Sequence, residues 1–197
     1  MEQKTKNKKG LPLMIAGLLF LAAAAGLVLY NRMEDERAGE ASAEVLEKVE
    51  QATSHTQLQP LDDRMPVISV DGRDYIGVVR VESAGIALPV LSYWDEEDGK
   101  IAPGLYTGSA YTDNMVLCGH NYKAHFAPLH HVETGAEVRF TDINGNEFVY
   151  EVSEIYTLKS SEVLEMISGK EWDLTLFTCT TGGQARITLR CVRRSNR

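Results

Sequence analysis

The chain has 197 residues, 44% of them apolar, which is enough for one globular domain and some additional segments. Its formal net charge of −8 argues against a nucleic-acid partner, which would require a basic surface. Its three cysteines cannot all pair with one another, and the odd count suits a reactive thiol as well as structural ones.

An uncharged apolar run lies near the start of the chain. Residues 11–30 are rich in Leu, Ala, Ile and Val and are long enough to span a bilayer as a helix. Residues 1–10 form a basic tail, and acidic residues follow the run, so the positive-inside rule predicts a cytoplasmic N-terminus and an extracellular remainder. A cleavable signal peptide is the alternative, with small residues at Ala22–Ala25. The apolar run continues beyond that point, which favours an uncleaved anchor.

Residues 31–66 are predicted to link this anchor to a domain over residues 67–197. Glu, Ala, Gln and Ser dominate residues 33–59, and this composition favours a solvated extracellular stalk. A short helix over Ala41–Ala52 is the alternative, because three apolar residues share one of its faces: Val45, Leu46 and Val49.

From Tyr75 onward the hydrophobic periodicity is that of short β-strands. Eight strands are predicted, at residues 75–81, 86–92, 100–108, 115–120, 137–142, 147–155, 173–179 and 185–192. Asn144-Gly145 predicts a type I′ turn, and residues 160–167 predict a short helix that ends at Gly169. Many short strands with few helices indicate an all-β fold, a closed or nearly closed barrel.

Three reactive side chains lie at the ends of predicted strands. Cys179 ends the run Thr-Leu-Phe-Thr-Cys, His120 lies in Gly-His-Asn, and Arg186 opens the strand after a Gly-Gly turn. A thiolate needs a positive neighbour, an imidazole can exchange protons, and a guanidinium can hold a developing oxyanion. These are the parts of a thiol acyl-transfer site. A buried core cysteine is the alternative for Cys179, and Arg190, on the same strand face, is the alternative to Arg186.

In this order, behind an apolar N-terminal helix, the motifs resemble those of sortases, the membrane-anchored cysteine transpeptidases of Gram-positive bacteria. The resemblance covers roughly residues 73–194 and implies a closed eight-stranded sortase-type β-barrel with one or two short helices. It implies that Cys179 is the nucleophile, that His120 is the acid/base and that Arg186 clamps the oxyanion or substrate. It implies no catalytic metal and no other cofactor. Two further residues are predicted to contact the substrate: Thr178 and Asn121.

The reaction that this resemblance implies is a two-step transpeptidation. Cys179 attacks a Leu-Pro-X-Thr-Gly-like sorting signal on a secreted protein, and an amine from a peptidoglycan precursor or a pilin resolves the thioester. A thiol endopeptidase that uses water, and a non-catalytic sortase-like surface scaffold, are the alternatives. The short turn after Cys179 and the lack of a long helical insertion before it resemble class D or E more than class B. Residues 56–72 show no class C lid motif.

The remaining cysteines and histidines are predicted to be structural. Cys191 alternates with core positions, and Cys118, on the face of His120, is expected to be a packed thiol, although a bridge between the two cysteines stays open. The histidines after His120 lack a paired carboxylate, so surface or packing roles are predicted instead of metal ligation for three of them: His125, His130 and His131.

Overall fold

The computed structural model describes residues 10–53, 64–167 and 171–194. Two α-helices are present there, α1 (Gly10–Thr53) and α2 (Val163–Ile167). The strands are β1 (Ile68–Val70), β2 (Arg73–Val81), β3 (Ile86–Leu91), β4 (Gly104–Thr107), β5 (Met115–Gly119), β6 (Glu137–Asp142), β7 (Glu147–Lys159), β8 (Leu174–Cys179) and β9 (Ala185–Arg193). Residues 1–36 and 37–197 form two compact units.

Eight of the strands close into a barrel. The hydrogen-bonded order runs β2-β3-β4-β5-β8-β9-β7-β6, and the last strand, β6, also pairs with the first, β2, which closes the barrel. Strand β1 pairs with the beginning of β2 at Val70↔Arg73, and β6 pairs with its later part at Gly77↔Asp142. The predicted closed eight-stranded barrel is therefore confirmed, with β1 as an additional short strand.

Alternation along the strands separates an interior core from an outer apolar cluster. Leu174 and Leu176 of β8 belong to the interior core. Phe177 of the same strand belongs to a second cluster with Val116 and Cys118 of β5, which Met166 of α2 joins. Because side chains alternate along a strand, the residue after Thr178 lies on the same side as this outer cluster.

The first unit contains the apolar half of α1. An 18-residue window of the helix has a mean hydropathy of 2.4, and none of that window is buried within the structure. Length and composition make it a candidate membrane anchor. The orientation and the alternative of signal-peptide cleavage stay predictions.

Within the second unit, residues 37–53 of α1 pack on the barrel. Val49 is fully buried and Val45 nearly so, in a cluster with four barrel residues: Tyr75, Val78, Leu91 and Ile143. At the edge of this contact the Lys48 Nζ lies 2.7 Å from Asp71 Oδ2. The prediction of a solvated stalk is therefore wrong for residues 37–53, where the alternative, an amphipathic helix, is observed. Residues 54–63 lie outside the described residues.

The type I′ turn occurs at a different place from the predicted one. Asp71 and Gly72 connect β1 to β2 as a two-residue loop, and their φ angles are +49° and +76°. Positive φ at both central residues defines type I′. At the predicted site only Gly145 has positive φ, and its N–H donates to Asp142 O at 3.0 Å. Asn144-Gly145 therefore forms a turn, but not of type I′.

Two further elements differ in extent from their predictions. The predicted strand over residues 100–108 is shorter, because residues 98–100 form a 3₁₀ turn and β4 begins at Gly104. The predicted helix over residues 160–167 begins only at Val163. Its expected end at Gly169 lies outside the described residues.

Candidate active site

The three reactive side chains lie at one edge of three neighbouring strands. Strands β5 and β8 are parallel, with Gly119 opposite Thr178, so His120 and Cys179 follow at the same edge. Strand β9 runs antiparallel to β8, with Arg186 directly opposite Cys179. Directly paired residues have Cβ atoms about 5 Å apart. The fold thus brings together a thiol, a guanidinium and an imidazole that are distant in sequence.

Cys179 is the cysteine that reaches the surface. All three cysteines are free thiols, and Cys179 is partly exposed while Cys118 and Cys191 are buried. Cys191 belongs to the interior core and Cys118 to the outer cluster, so the bridge between them that the sequence left open is not formed. The predicted packed state of both is confirmed.

Cys118 lies close to the site but is held in the protonated form. Burial raises the pKa of its thiol, the nearby Cys179 raises it further, and the Arg186 guanidinium acts in the opposite direction. A protonated buried thiol is a poor nucleophile. Phe177, in the same cluster as Cys118, provides an apolar surface beside Cys179. The ring of Tyr106 packs edge-on against Phe177, with 5.5 Å between the ring centroids.

Contacts of its backbone and of its ring position His120. The Phe126 N–H donates to the His120 carbonyl at 3.2 Å, which folds the chain back after β5. A Cβ on Gly119 would come within 2.7 Å of the Phe126 ring, so this turn requires glycine at that position. The imidazole contacts two aromatic rings, with centroid distances of 5.1 Å to Trp94 and 5.2 Å to Tyr122.

The two candidate arginines have different surroundings. The Arg190 guanidinium carbon lies 3.9 Å from the ring centroid of Trp172 and 4.5 Å from that of Tyr156. Its Nη2 donates to the Glu165 carbonyl at 2.9 Å. By contrast, the Nη1 of Arg186 is buried and donates to no acceptor among the described residues. Arg186 therefore has donor capacity left for a ligand. The Arg190 Nε also has no acceptor among the described residues, but the planar face and Nη2 of Arg190 are engaged by β7 and by the segment around α2.

The two residues predicted to contact substrate differ in accessibility. Asn121 is half-buried next to His120, and its Oδ1 accepts no hydrogen bond from the described residues. Thr178 is only 1% exposed, and alternation directs it away from the face of Cys179. The Thr178 side chain thus presents no surface to a substrate in this structure.

The other histidines take surface and packing positions, as predicted. His125 is fully buried, with its ring 5.3 Å from that of Tyr122, and His130 and His131 are exposed in a 3₁₀ turn. Sequence reasoning did not find Trp94 and Glu96, which reach His120 from the β3–β4 connection. No local pattern marks them, because a contact across 24 residues or more depends on the closed fold.

Comparison with known proteins gives one family and one fold. The family model described as Sortase domain matches residues 79–196. Comparison with curated proteins gives no match. Among solved structures, Streptococcus agalactiae sortase C1 is similar with a TM-score of 0.56 at 22% identity, over 66% of this chain and 72% of that one.

Two other structures extend this likeness. A Clostridium perfringens Sortase D5 transpeptidase is similar with a TM-score of 0.62 at 17% identity, over 79% of this chain and 99% of that one. Listeria monocytogenes sortase A has a TM-score of 0.54 at 21% identity, over 61% and 88% of the two chains. At these sequence identities the similarity shows that the fold is shared.

Proposed function

We propose that the chain, which belongs to the sortase family, joins secreted proteins to an amine through a thioester on Cys179. The members of this family are cysteine transpeptidases. One observation carries the proposal: Cys179, Arg186 and His120 converge at the ends of three hydrogen-bonded neighbouring strands. A free, partly exposed thiol beside a guanidinium with an unused donor is suited to acyl transfer.

In the first step the Cys179 thiolate attacks the carbonyl carbon of a Thr–Gly-type peptide bond. Negative charge develops on the carbonyl oxygen, and the guanidinium of Arg186 stabilises it with planar, permanently charged donors. The C–N bond then breaks, the carbon–sulfur bond remains as a thioester, and protonated His120 gives its proton to the departing amine.

In the second step an acceptor amine attacks the thioester carbon. The neutral imidazole of His120 takes a proton from the attacking nitrogen, the carbon–sulfur bond breaks, and Cys179 leaves as the thiolate. A new amide bond replaces the one that was broken. His120 regains the proton it gave up in the first step, so the cycle needs no external acid or base.

The proposed substrates are secreted proteins with a Leu-Pro-X-Thr-Gly-like sorting signal, and the proposed acceptor is a peptidoglycan precursor or a pilin amine. The apolar segment of α1 supports a membrane anchor with a cytoplasmic N-terminus and an extracellular catalytic domain. A class D or E type is proposed, because four of the five residues between β8 and β9 are exposed in a short turn and α2 has five residues.

The test uses the full chain in detergent micelles, a sorting-signal peptide, and product masses with and without an amine acceptor. Wild type should form an acyl-enzyme and an amine adduct, and Cys179→Ala should form neither. Cys118→Ala is the matched control and should retain both, since its thiol is buried. Acylation of the Cys179→Ala variant would refute the assignment of the nucleophile.

The same assay separates the alternatives. Hydrolysed peptide alone, even with amine present, would identify a thiol endopeptidase. No acyl-enzyme in wild type, across a library of sorting peptides, would identify a scaffold. His120→Ala should lower turnover by about 10²–10⁴-fold, the usual contribution of a positioned acid/base, while the exposed His131→Ala should leave it unchanged.

A further inference from the structure

The connection between β3 and β4, residues 92–103, covers one side of His120 and is organised by internal hydrogen bonds. The Asp95 Oδ1 accepts from the Glu97 N–H at 2.8 Å and from the Asp98 N–H at 3.2 Å. The Gly99 N–H donates to Asp95 O at 2.8 Å, so Asp95 accepts three hydrogen bonds within the turn. These are the bonds by which an Asp side chain fixes a turn locally.

This turn is also tied to the barrel at both sides. The Trp94 N–H donates to Leu105 O at 2.7 Å, which joins the beginning of the connection to β4. The Asp98 Oδ1 accepts from the Arg73 Nε of β2 at 2.7 Å, with both side chains partly shielded from solvent. These two bonds attach the connection to the barrel wall.

From this position the connection contacts the imidazole in two ways. The Trp94 ring meets the His120 ring at an interplanar angle of 64°, with centroids 5.1 Å apart. The backbone carbonyl oxygen of Glu96 lies 3.3 Å from His120 Nε2, whereas the side-chain carboxylate is farther away at 3.9 Å. The side chain of Glu96 is mostly exposed, so its charge is screened by water.

The approach of the connection depends on a glycine. A Cβ on Gly99 would come within 2.6 Å of the Trp94 ring and 3.3 Å of His120 Nε2. Any larger residue would have to displace the indole, the imidazole or the turn. The absence of a side chain at position 99 thus allows the Trp94–His120 contact.

We infer that the β3–β4 connection is a positioning element for His120, in which Trp94 sets the ring orientation and the Glu96 carbonyl sets the tautomer. This inference rests on the proposed function for its catalytic consequence. A carbonyl oxygen can only accept a hydrogen bond, so the Nε2 that points to it carries a proton. In neutral His120 the lone pair is then on Nδ1, so the proposed mechanism assigns the exchange of protons to Nδ1.

The catalytic consequence follows from geometry. A neutral imidazole free to rotate would divide its time between two tautomers and several orientations, and only one combination presents the lone pair correctly. Misplacement of a catalytic group by about 1 Å can cost about 10²-fold in rate. Trp94 is accordingly a positioning residue, since it acts through His120 and its contact is with the imidazole.

The experiment measures orientation and rate separately, on the full chain in detergent micelles with ¹⁵N-labelled histidine. The imidazole ¹⁵N shifts of His120, assigned by their loss in His120→Ala, should show the Nε2–H tautomer in the wild type. Trp94→Ala should yield a mixture of tautomers and lower kcat about 10- to 100-fold with KM for the peptide unchanged. Trp94→Phe keeps an aromatic ring and should restore most of the Nε2–H population and most of kcat.

Two controls come from the same connection. Tyr93→Ala removes a neighbouring, exposed aromatic ring and should change neither the tautomer nor kcat. Glu96→Gln keeps the backbone carbonyl and should also leave the tautomer unchanged. If Trp94→Ala fails to fold, Gly99→Ala provides the second variant, because its methyl group displaces the same ring.

A Trp94→Ala variant with wild-type kcat and a pure Nε2–H tautomer would overturn the inference, as would an Nδ1–H tautomer in the wild type. Failure of the proposed function is a distinct result. In that case no acyl-enzyme forms in the wild type, while the ¹⁵N shifts still report whether the connection orients His120.

Discussion

Replacement of Arg186 and Arg190 by lysine tests whether the first guanidinium is catalytic, as proposed, and the second structural. The Arg190 side chain is 14% exposed and lies against two aromatic rings. Each desolvated cation–π contact contributes about 1 kcal/mol, and the charged hydrogen bond to Glu165 O about 1.5 kcal/mol or more. Lysine keeps the charge but loses the planar stacking and the fork, so Arg190→Lys should cost roughly 2–3 kcal/mol.

That loss predicts a melting temperature lower by roughly 5–10 °C for a unit of this size. Acylation by a sorting-signal peptide should stay close to wild type below the transition. Arg186→Lys should behave in the opposite way, because Nη1 of Arg186 has no acceptor among the described residues to lose. Its melting temperature should hardly change, while single-turnover acylation falls by about 10²-fold or more, as when an oxyanion donor is removed.

Thermal unfolding measures the melting temperature, and single-turnover mass spectrometry on the same samples measures the acylation rate. The reasoning would be refuted if Arg190→Lys lost acylation as strongly as Arg186→Lys at a temperature where both variants are folded. Equal destabilisation by the two substitutions would also contradict the difference in surroundings described above.

Two further predictions concern the thiols and α1. Burial raises the pKa of the Cys118 and Cys191 thiols, so both stay protonated in the folded chain at pH values where an unfolded cysteine ionises. The free energy of unfolding should therefore be unaffected by them below pH ~8.5 and fall above it, by up to about 1.4 kcal/mol per pH unit per thiol. Urea titrations between pH ~8 and ~10 measure this, and a slope unchanged in Cys191→Ala would contradict it. Val49→Asp should place a charge in the contact between α1 and the barrel and lower the free energy of unfolding by at least about 2 kcal/mol, measured by denaturant titration. Glu47→Ala, on the exposed face, is its control, and equal effects of the two would argue that residues 37–53 are not docked in solution.

The barrel could be predicted from the sequence because each strand carries its own signal. Alternation identifies which face is apolar, and eight short alternating runs leave few architectures that protect their edges. The proximity of Cys179 and Arg186 could be predicted from the sequence for a similar reason. Two strands joined by a short turn are antiparallel neighbours, so residues that flank the turn become partners.

The elements that were missed have weak local signals or depend on distant partners. Strand β1 has three residues, although the Asp71-Gly72 pair that follows it is a strong type I′ signal. Residues 37–53 are too polar on average to suggest burial, and their apolar stripe is meaningful only once the face of Tyr75 and Leu91 exists to receive it. The contact of Trp94 with His120 likewise requires the barrel to be closed.

The docked part of α1 moves the boundary of the globular domain towards the N-terminus. A boundary at residue 67, as the sequence suggested, would leave the apolar face around Tyr75, Val78 and Ile143 without its cover. The helix also approaches the segment that follows His120, since a Cβ on Gly39 would come within 3.0 Å of the Ala124 Cβ. Glycine at that position permits close packing of the helix on the turn that carries the imidazole. The compact unit that carries the candidate site therefore begins at about Arg37, and residues 37–53 pack on it next to the segment that follows His120.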